Sequence, residues 1–265
     1  MPSYTYKSIT AHYKVIGSGK PLLILHGWGS SSDVMLPMAK KLSVNHTCYI
    51  PDLPGFGASP APDRAWNVDD YADFTQQFIQ DMKLDTPDVL AHSFGGRIML
   101  KLGSRSSAKE HVGKILITGG AGMKPQRPAS FYFKKYLAKF LKAPLLILPE
   151  NLREPALAWL RSTSLWKALG SGDYQQLQGV MRETFVKTVS EYLEPCMVHI
   201  DQDILLLWGR DDDATPLYQA QRMEKGIVSA ALVVIDNAGH YAFLDQPERF
   251  RLIAEAFLNP EDITS

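Results

Sequence analysis

The sequence predicts an α/β fold: a mostly parallel sheet covered by helices on both faces, with a helical cap inserted before the last two strands. Three observations predict it. Short, uninterrupted apolar runs recur along the chain, as in strands buried on both faces. Segments with helical periodicity separate them, and that alternation closes into a parallel sheet. One long stretch, 123–194, breaks the rhythm with helical and loop patterns, several prolines and no convincing buried strand.

At the start, Tyr4–Ile9 and His12–Ile16 alternate and lead into the turn Gly17-Ser18-Gly19, which predicts two short antiparallel edge strands. Continuous apolar runs follow at Leu22–Leu25, Thr47–Ile50, Val89–Leu90, Ile115–Thr118, Ile204–Leu207 and Leu232–Ile235, giving eight strands in all. Between them lie helical patterns such as Val68–Met82, where Tyr71, Phe74, Phe78 and Met82 share a face behind the N-cap candidate Asn67. The predicted organisation is therefore a core domain of residues 1–122 and 195–265, and a cap of residues 123–194 that carries Phe131, Phe133, Trp159 and Trp166. In such sheets ligands bind at the carboxyl ends of the strands, so function is expected in the loops that follow them.

A chain of 265 residues accommodates one core with an insertion. Apolar types at 45% against charged types at 21% supply that core and argue against extended disorder. Basic and acidic residues both number 28, so there is no net field for polyanions and nucleic acid is not an expected partner. The two cysteines, Cys48 and Cys196, read as reduced thiols, which favours a reducing compartment. No basic segment leads into an apolar run at the N-terminus, and no apolar run approaches the roughly 20 residues of a spanning helix. A cytoplasmic, soluble protein is expected.

The sharpest chemical signal is Ala91-His92-Ser93-Phe94-Gly95-Gly96, placed after an apolar strand and before a helical pattern. A serine on a tight strand-to-helix turn needs small residues two before and two after it, and Ala91 and Gly95 occupy those places. The alternative for Ser93 is a plain helix N-cap. A serine hydroxyl becomes a nucleophile only with a base in hydrogen-bond reach, so the seven histidines are the candidates. His12 and His46 fall in or beside early strands, His111 in a connection, and His199 before a strand, while His26 and His92 read as loop-ordering residues. Only His240 follows the last apolar strand, on the turn Asn237-Ala238-Gly239.

The acid that orients the base is sought in the run Asp211-Asp212-Asp213 after the strand Ile204–Leu207. Its position, third after Gly209 and four before Pro216, selects Asp212, with Asp211 second. Gly119-Gly120-Ala121-Gly122, after the preceding strand, offers no carboxylate. For an oxyanion, the backbone N–H of Phe94 stands at a helix N-terminus, and the N–H of Trp28, in His26-Gly27-Trp28-Gly29, is the second candidate donor. The glycine-rich loop Asp52–Pro60 lacks the lysine and following helix of a phosphate cradle and reads as structural.

In this order HGWG, DLPGFGAS, AHSFGG, WGRDDDATP and NAGHYAFLDQPE resemble the α/β-hydrolase fold family from about Tyr4 to Leu258. The resemblance implies the catalytic order Ser93, Asp212, His240, an oxyanion hole from Trp28 and Phe94, a cap between the sixth and seventh strands, and no metal or organic cofactor. A serine at the elbow separates the chain from the dehalogenase and epoxide hydrolase branches, which use aspartate there. Cleavage of carboxylic esters with small to medium hydrophobic acyl groups is expected. Alternatives are a carbon–carbon bond hydrolase of the meta-cleavage-product type, which would want a cation such as Arg127, Arg153, Arg161 or Arg182 for a substrate carboxylate, and a non-catalytic ligand sensor. Within the cap, Phe133, Tyr136, Leu137, Phe140 and Leu141 form a stripe among Lys134, Lys135, Lys139 and Lys142. It is expected to pack over the site, and contact with a membrane surface is the lesser alternative.

Overall fold

The computed structural model describes residues 1–126 and 178–259, together with 141, 143–145, 147–149, 152–156 and 163. Its strands are β1 (Ser3–Tyr6), β2 (Ile9–Ile16), β3 (Lys20–Leu25), β4 (His46–Pro51), β5 (Asp88–His92), β6 (Ile115–Thr118), β7 (Ile204–Gly209) and β8 (Ala230–Ile235). They form a single sheet in the order β1-β2-β4-β3-β5-β6-β7-β8. β1 and β2 pair antiparallel, as do β2 and β4, and every later pairing is parallel.

Two strand expectations need correcting. The first strand ends at Tyr6, because Lys7 takes a left-handed backbone (φ 52°) that lets a two-residue turn pair Tyr6 with Ile9. Of the first two strands β1 alone is an edge; β2 is flanked by β1 and β4. At the other end β8 is the second edge, so Leu232, Val233 and Val234 are only half-buried, although their apolar run reads as a doubly covered strand. The interior strands behave as expected: Leu22 through Leu25 and Val89 through Ala91 are fully buried.

Helices α1 (Ser32–Leu42), α2 (Val68–Asp81) and α3 (Phe94–Gly103) follow β3, β4 and β5. After β6, the described helices are α4 (Gly179–Ser190), α5 (Glu194–Met197), α6 (Leu217–Gly226), α7 (Ala242–Asp245) and α8 (Pro247–Leu258). Met35, Met38 and Leu42 of α1, and Phe250, Ala254 and Leu258 of α8, pack with Leu22, Ile24, Leu116 and Leu207 from one sheet face. Leu25 and Ile117 point the other way, under Gly95 and Gly96 of α3. Helices therefore cover both faces, and the alternating parity of the strand residues supplies the two layers of core.

The Asn67 cap takes the form of a capping box. Asn67 Oδ1 accepts the Asp70 N–H at 2.9 Å, and the Asp70 carboxylate accepts the Asn67 N–H at 2.9 Å. Asn67→Ala is expected to lower the unfolding free energy by about 1 kcal/mol. A urea midpoint unchanged from wild type would contradict that assignment.

The chain divides into two compact units, residues 1–124 with 183–265, and residues 125–182. The second is shorter than the predicted cap of 123–194, because residues 183–194 belong with the sheet. Buried Thr184 and Thr188 explain this: Thr184 Oγ1 accepts the Trp66 N–H at 3.1 Å, and Thr188 O accepts from Arg97 at 2.5 Å. Of the Phe133–Lys142 stripe only Leu141 is described; the remainder lies outside the described residues, as do Arg127, Phe131, Trp159, Arg161 and Trp166. No helix among the described residues is long and apolar enough to cross a membrane.

Candidate active site

β3, β5, β7 and β8 run parallel, so the loops after them emerge at one edge of the sheet. That edge gathers Trp28, Ser93, Asp212 and His240, which are widely separated in sequence. Between β5 and α3, Ser93 takes φ 52° and ψ −104°, a conformation that costs a non-glycine residue on the order of 1–3 kcal/mol. The strain is held by packing. A Cβ added to Gly95 would fall 2.7 Å from both the Cβ and the carbonyl oxygen of Leu25, so the turn closes only with glycine there. The Ser93 hydroxyl makes no cap hydrogen bond to α3, which removes the N-cap alternative.

Instead the hydroxyl lies 3.0 Å from His240 Nε2, and His240 Nδ1 lies 2.9 Å from Asp212 Oδ2. With Nδ1–H donating to the carboxylate, Nε2 is left as an acceptor for the serine proton. Asp212 is 4% exposed and fully engaged: Oδ1 accepts the N–H groups of Ala214 (2.9 Å) and Thr215 (2.8 Å), and Oδ2 also accepts the Thr215 hydroxyl (2.8 Å). Burial alone would raise the Asp212 pKa, but hydrogen bonds from His240 and Thr215, with the His240 charge, outweigh it and hold the group below the ordinary carboxylate value. The neighbours Asp211 and Asp213 are exposed.

Thr215 was not among the sequence candidates. Its signal was legible: Asp212 and Thr215 stand at the spacing of a side chain that caps backbone three residues on. Trp208 also supports this loop by donating Nε1–H to Thr215 O at 2.7 Å. The other histidines take structural places. His26 accepts the Leu53 N–H at Nε2 (3.0 Å) and meets Gly27 O at Nδ1 (2.7 Å), joining the Trp28 loop to the loop after β4. In that second loop the Asp52 carboxylate accepts the N–H groups of Ser32 (2.6 Å) and Ala58 (3.0 Å), in keeping with a purely structural role.

The backbone N–H groups of Trp28 and Phe94 make no backbone hydrogen bond among the described residues. Their rings are 5.2 Å apart, and Trp28 also meets Phe56 at 4.8 Å and Phe185 at 5.2 Å. An aromatic wall therefore stands beside the Ser93 turn. Arg97, one turn into α3, is buried and donates to the carbonyls of Thr188 and Glu191 at the end of α4. Burial lowers its pKa to about 10, which leaves it charged.

Burial also lowers the pKa of His26, and that of His92 to about 3, from an ordinary 6.5. Between 6.5 and about 3 the unfolded chain holds a proton on His92 that the folded chain does not, so stability falls as pH falls, by about 1.4 kcal/mol per pH unit, and His26 acts in the same direction. Asp212, with its pKa depressed, loses its contribution only at lower pH, through the carboxylate range. The urea midpoint is expected to drop between pH 6.5 and 5; a flat profile there would show that these histidines are protonated in the fold.

A family model described as "alpha/beta hydrolase fold" matches residues 20–247. The chain is 27% identical to a pimeloyl-[acyl-carrier protein] methyl ester esterase of Nitrosomonas europaea, over 90% of this chain and 96% of that protein. It is 26% identical to a 2-hydroxymuconate semialdehyde hydrolase of Pseudomonas sp. (strain CF600), over 93% of this chain and 89% of that protein. Among solved structures, an esterase from Exiguobacterium antarcticum superposes with a TM-score of 0.70 at 24% identity, covering 94% of this chain and 95% of that one.

Proposed function

Because this chain belongs to the α/β-hydrolase fold family, we propose that it is a serine hydrolase that cleaves carboxylic esters of small to medium hydrophobic acyl groups. The observation that carries this reading is the hydrogen-bonded series Ser93–His240–Asp212, with 3.0 and 2.9 Å between the reacting and orienting atoms. Ser93 Oγ attacks the ester carbonyl while its proton passes to His240 Nε2. The tetrahedral oxyanion is held by the N–H groups of Trp28 and Phe94, each such donor contributing about 3 kcal/mol to the transition state. His240 returns the proton to the leaving alcohol. Water, deprotonated by the same imidazole, then releases the acid and restores Ser93. The wall of Trp28, Phe56, Phe94 and Phe185 supports an apolar acyl group.

Carbon–carbon bond hydrolysis of a vinylogous diketone acid is the second reading, favoured by the 26% identity to a protein named 2-hydroxymuconate semialdehyde hydrolase. It asks for a cation to meet the substrate carboxylate. Arg97, the buried arginine next along from Ser93, has its Nη1 committed to the carbonyls of Thr188 and Glu191. The test is hydrolysis of p-nitrophenyl butyrate beside a dienone acid, with intact mass after fluorophosphonate treatment. Ester turnover with a stoichiometric adduct supports the proposal. Turnover of the acid alone replaces it with the second reading, and a folded protein without adduct leaves a ligand-binding role.

A further inference from the structure

His92, the residue before Ser93, is 1% exposed, and the mechanism above gives it no step. Its ring nevertheless touches the loop that carries His240 and the turn that carries Trp28. Nε2–H donates to the backbone carbonyl of His240 at 3.0 Å, across 148 residues of sequence. The ring centroids of His92 and His240 are 4.7 Å apart, and the same ring meets Tyr241 at 4.8 Å and Phe243 at 5.2 Å. On its other side lies the turn that carries Trp28. A Cβ added to Gly27 would fall 2.9 Å from His92 Nδ1 and 3.2 Å from Ser93 Cβ, so that turn rests against the imidazole and the nucleophile together.

We propose that His92 is a positioning residue: by holding the His240 backbone and the Gly27 turn against the Ser93 elbow, it sets the approach of His240 Nε2 to Ser93 Oγ. This rests on the reading of Ser93 and His240 as nucleophile and base. Position matters because the reacting contact spans only 3.0 Å, and a displacement on the order of 1 Å at such a contact costs about a hundredfold in rate. The Nε2–H is needed as donor, and Nδ1 has no partner among the described residues, an arrangement that suits the neutral ring. The titratable groups that face it are His240, Asp212, His26 and Tyr241. Burial, its largest influence, holds its pKa at about 3, and a neutral ring adds no second positive charge when His240 takes up the serine proton.

Two substitutions separate positioning from packing. His92→Phe keeps a ring and removes the donor, and His92→Gln keeps an N–H at similar reach without the ring. In His92→Phe, kcat is expected to fall about 10- to 100-fold with KM within about twofold, and His92→Gln is expected to recover most of it. Independently of turnover, the His240 imidazole is followed by NMR. The proton resonance of the Nδ1–H that donates to Asp212 is expected to move from its wild-type position in His92→Phe, because a displaced ring alters that 2.9 Å hydrogen bond, and to remain near wild type in His92→Gln. A His240 Nδ1–H resonance in folded His92→Phe that coincides with wild type overturns the proposal, as does an equal loss in both variants or a change confined to KM. Failure of wild type to form the fluorophosphonate adduct would instead overturn the reading of Ser93, and the NMR comparison would still decide the role of His92.

Discussion

Ser93→Ala is expected to lower kcat/KM for p-nitrophenyl butyrate by a factor on the order of 10⁴ or more and to abolish the fluorophosphonate adduct, with the fold intact. The size follows from what the hydroxyl does: it supplies the nucleophile, and among the described residues no other group hydrogen-bonds His240 Nε2. The residual rate would come from the Trp28 and Phe94 donors acting on a bound ester attacked by water. Stability should be preserved or slightly improved. The hydroxyl caps no helix, and alanine relieves none of the packing that forces φ to 52° but removes a polar group from a partly enclosed position. A melting temperature equal to or above wild type, with turnover gone, is the expected pair of results. Retained turnover in Ser93→Ala would remove the acyl-enzyme mechanism altogether.

How far the sequence reached can be judged from particular residues. The buried parallel strands were legible because burial on both faces writes an unbroken apolar run, as at Leu22–Leu25. Register and neighbours were not, since they depend on partners far along the chain. β2 reads like an edge strand and is enclosed only because Tyr13–Ile16 pair with Cys48–Pro51. The same limit set the error at 183–194. Nothing local in that segment announces that Arg97 will donate to the carbonyls of Thr188 and Glu191 or that Lys101 will pair with Glu191, and these contacts tie it to the sheet.

The site was more legible than the boundaries because each of its members carries a local mark, although the fold alone brings them together. A strained serine requires small residues at 91 and 95, and the resemblance implies a histidine after the last strand and an acid after the one before it. Those requirements fix residue types at short spacing. Supporting groups escaped where the requirement is met through space. His92 could be read as ordering a loop, but its bond to the His240 carbonyl joins residues 148 apart. Thr215 is the intermediate case, visible as a capping spacing but with no local sign that its hydroxyl also reaches the carboxylate oxygen facing His240.

Asp212→Asn is expected to be almost as severe as loss of the nucleophile, on the order of 10⁴ in kcat, and Asp211→Asn is expected to change turnover by less than about twofold. The backbone N–H groups of Ala214 and Thr215 both point at Oδ1, so an asparagine at 212 keeps its carbonyl oxygen there and turns its NH₂ toward His240. A donor now faces Nδ1 where an acceptor stood at 2.9 Å. The imidazole answers by moving its proton to Nε2, which then donates to Ser93 Oγ and can no longer accept from it. The base is lost without any atom moving far, so thermal stability should change much less than rate. Asp211, exposed, engages the site among the described residues through its backbone N–H to Ala238 O, which the side-chain change leaves in place. A mild effect at 212 beside a severe one at 211 would reverse the assignment of the acid, and equal severity at both would mean that the loop, rather than one carboxylate, holds His240 in register.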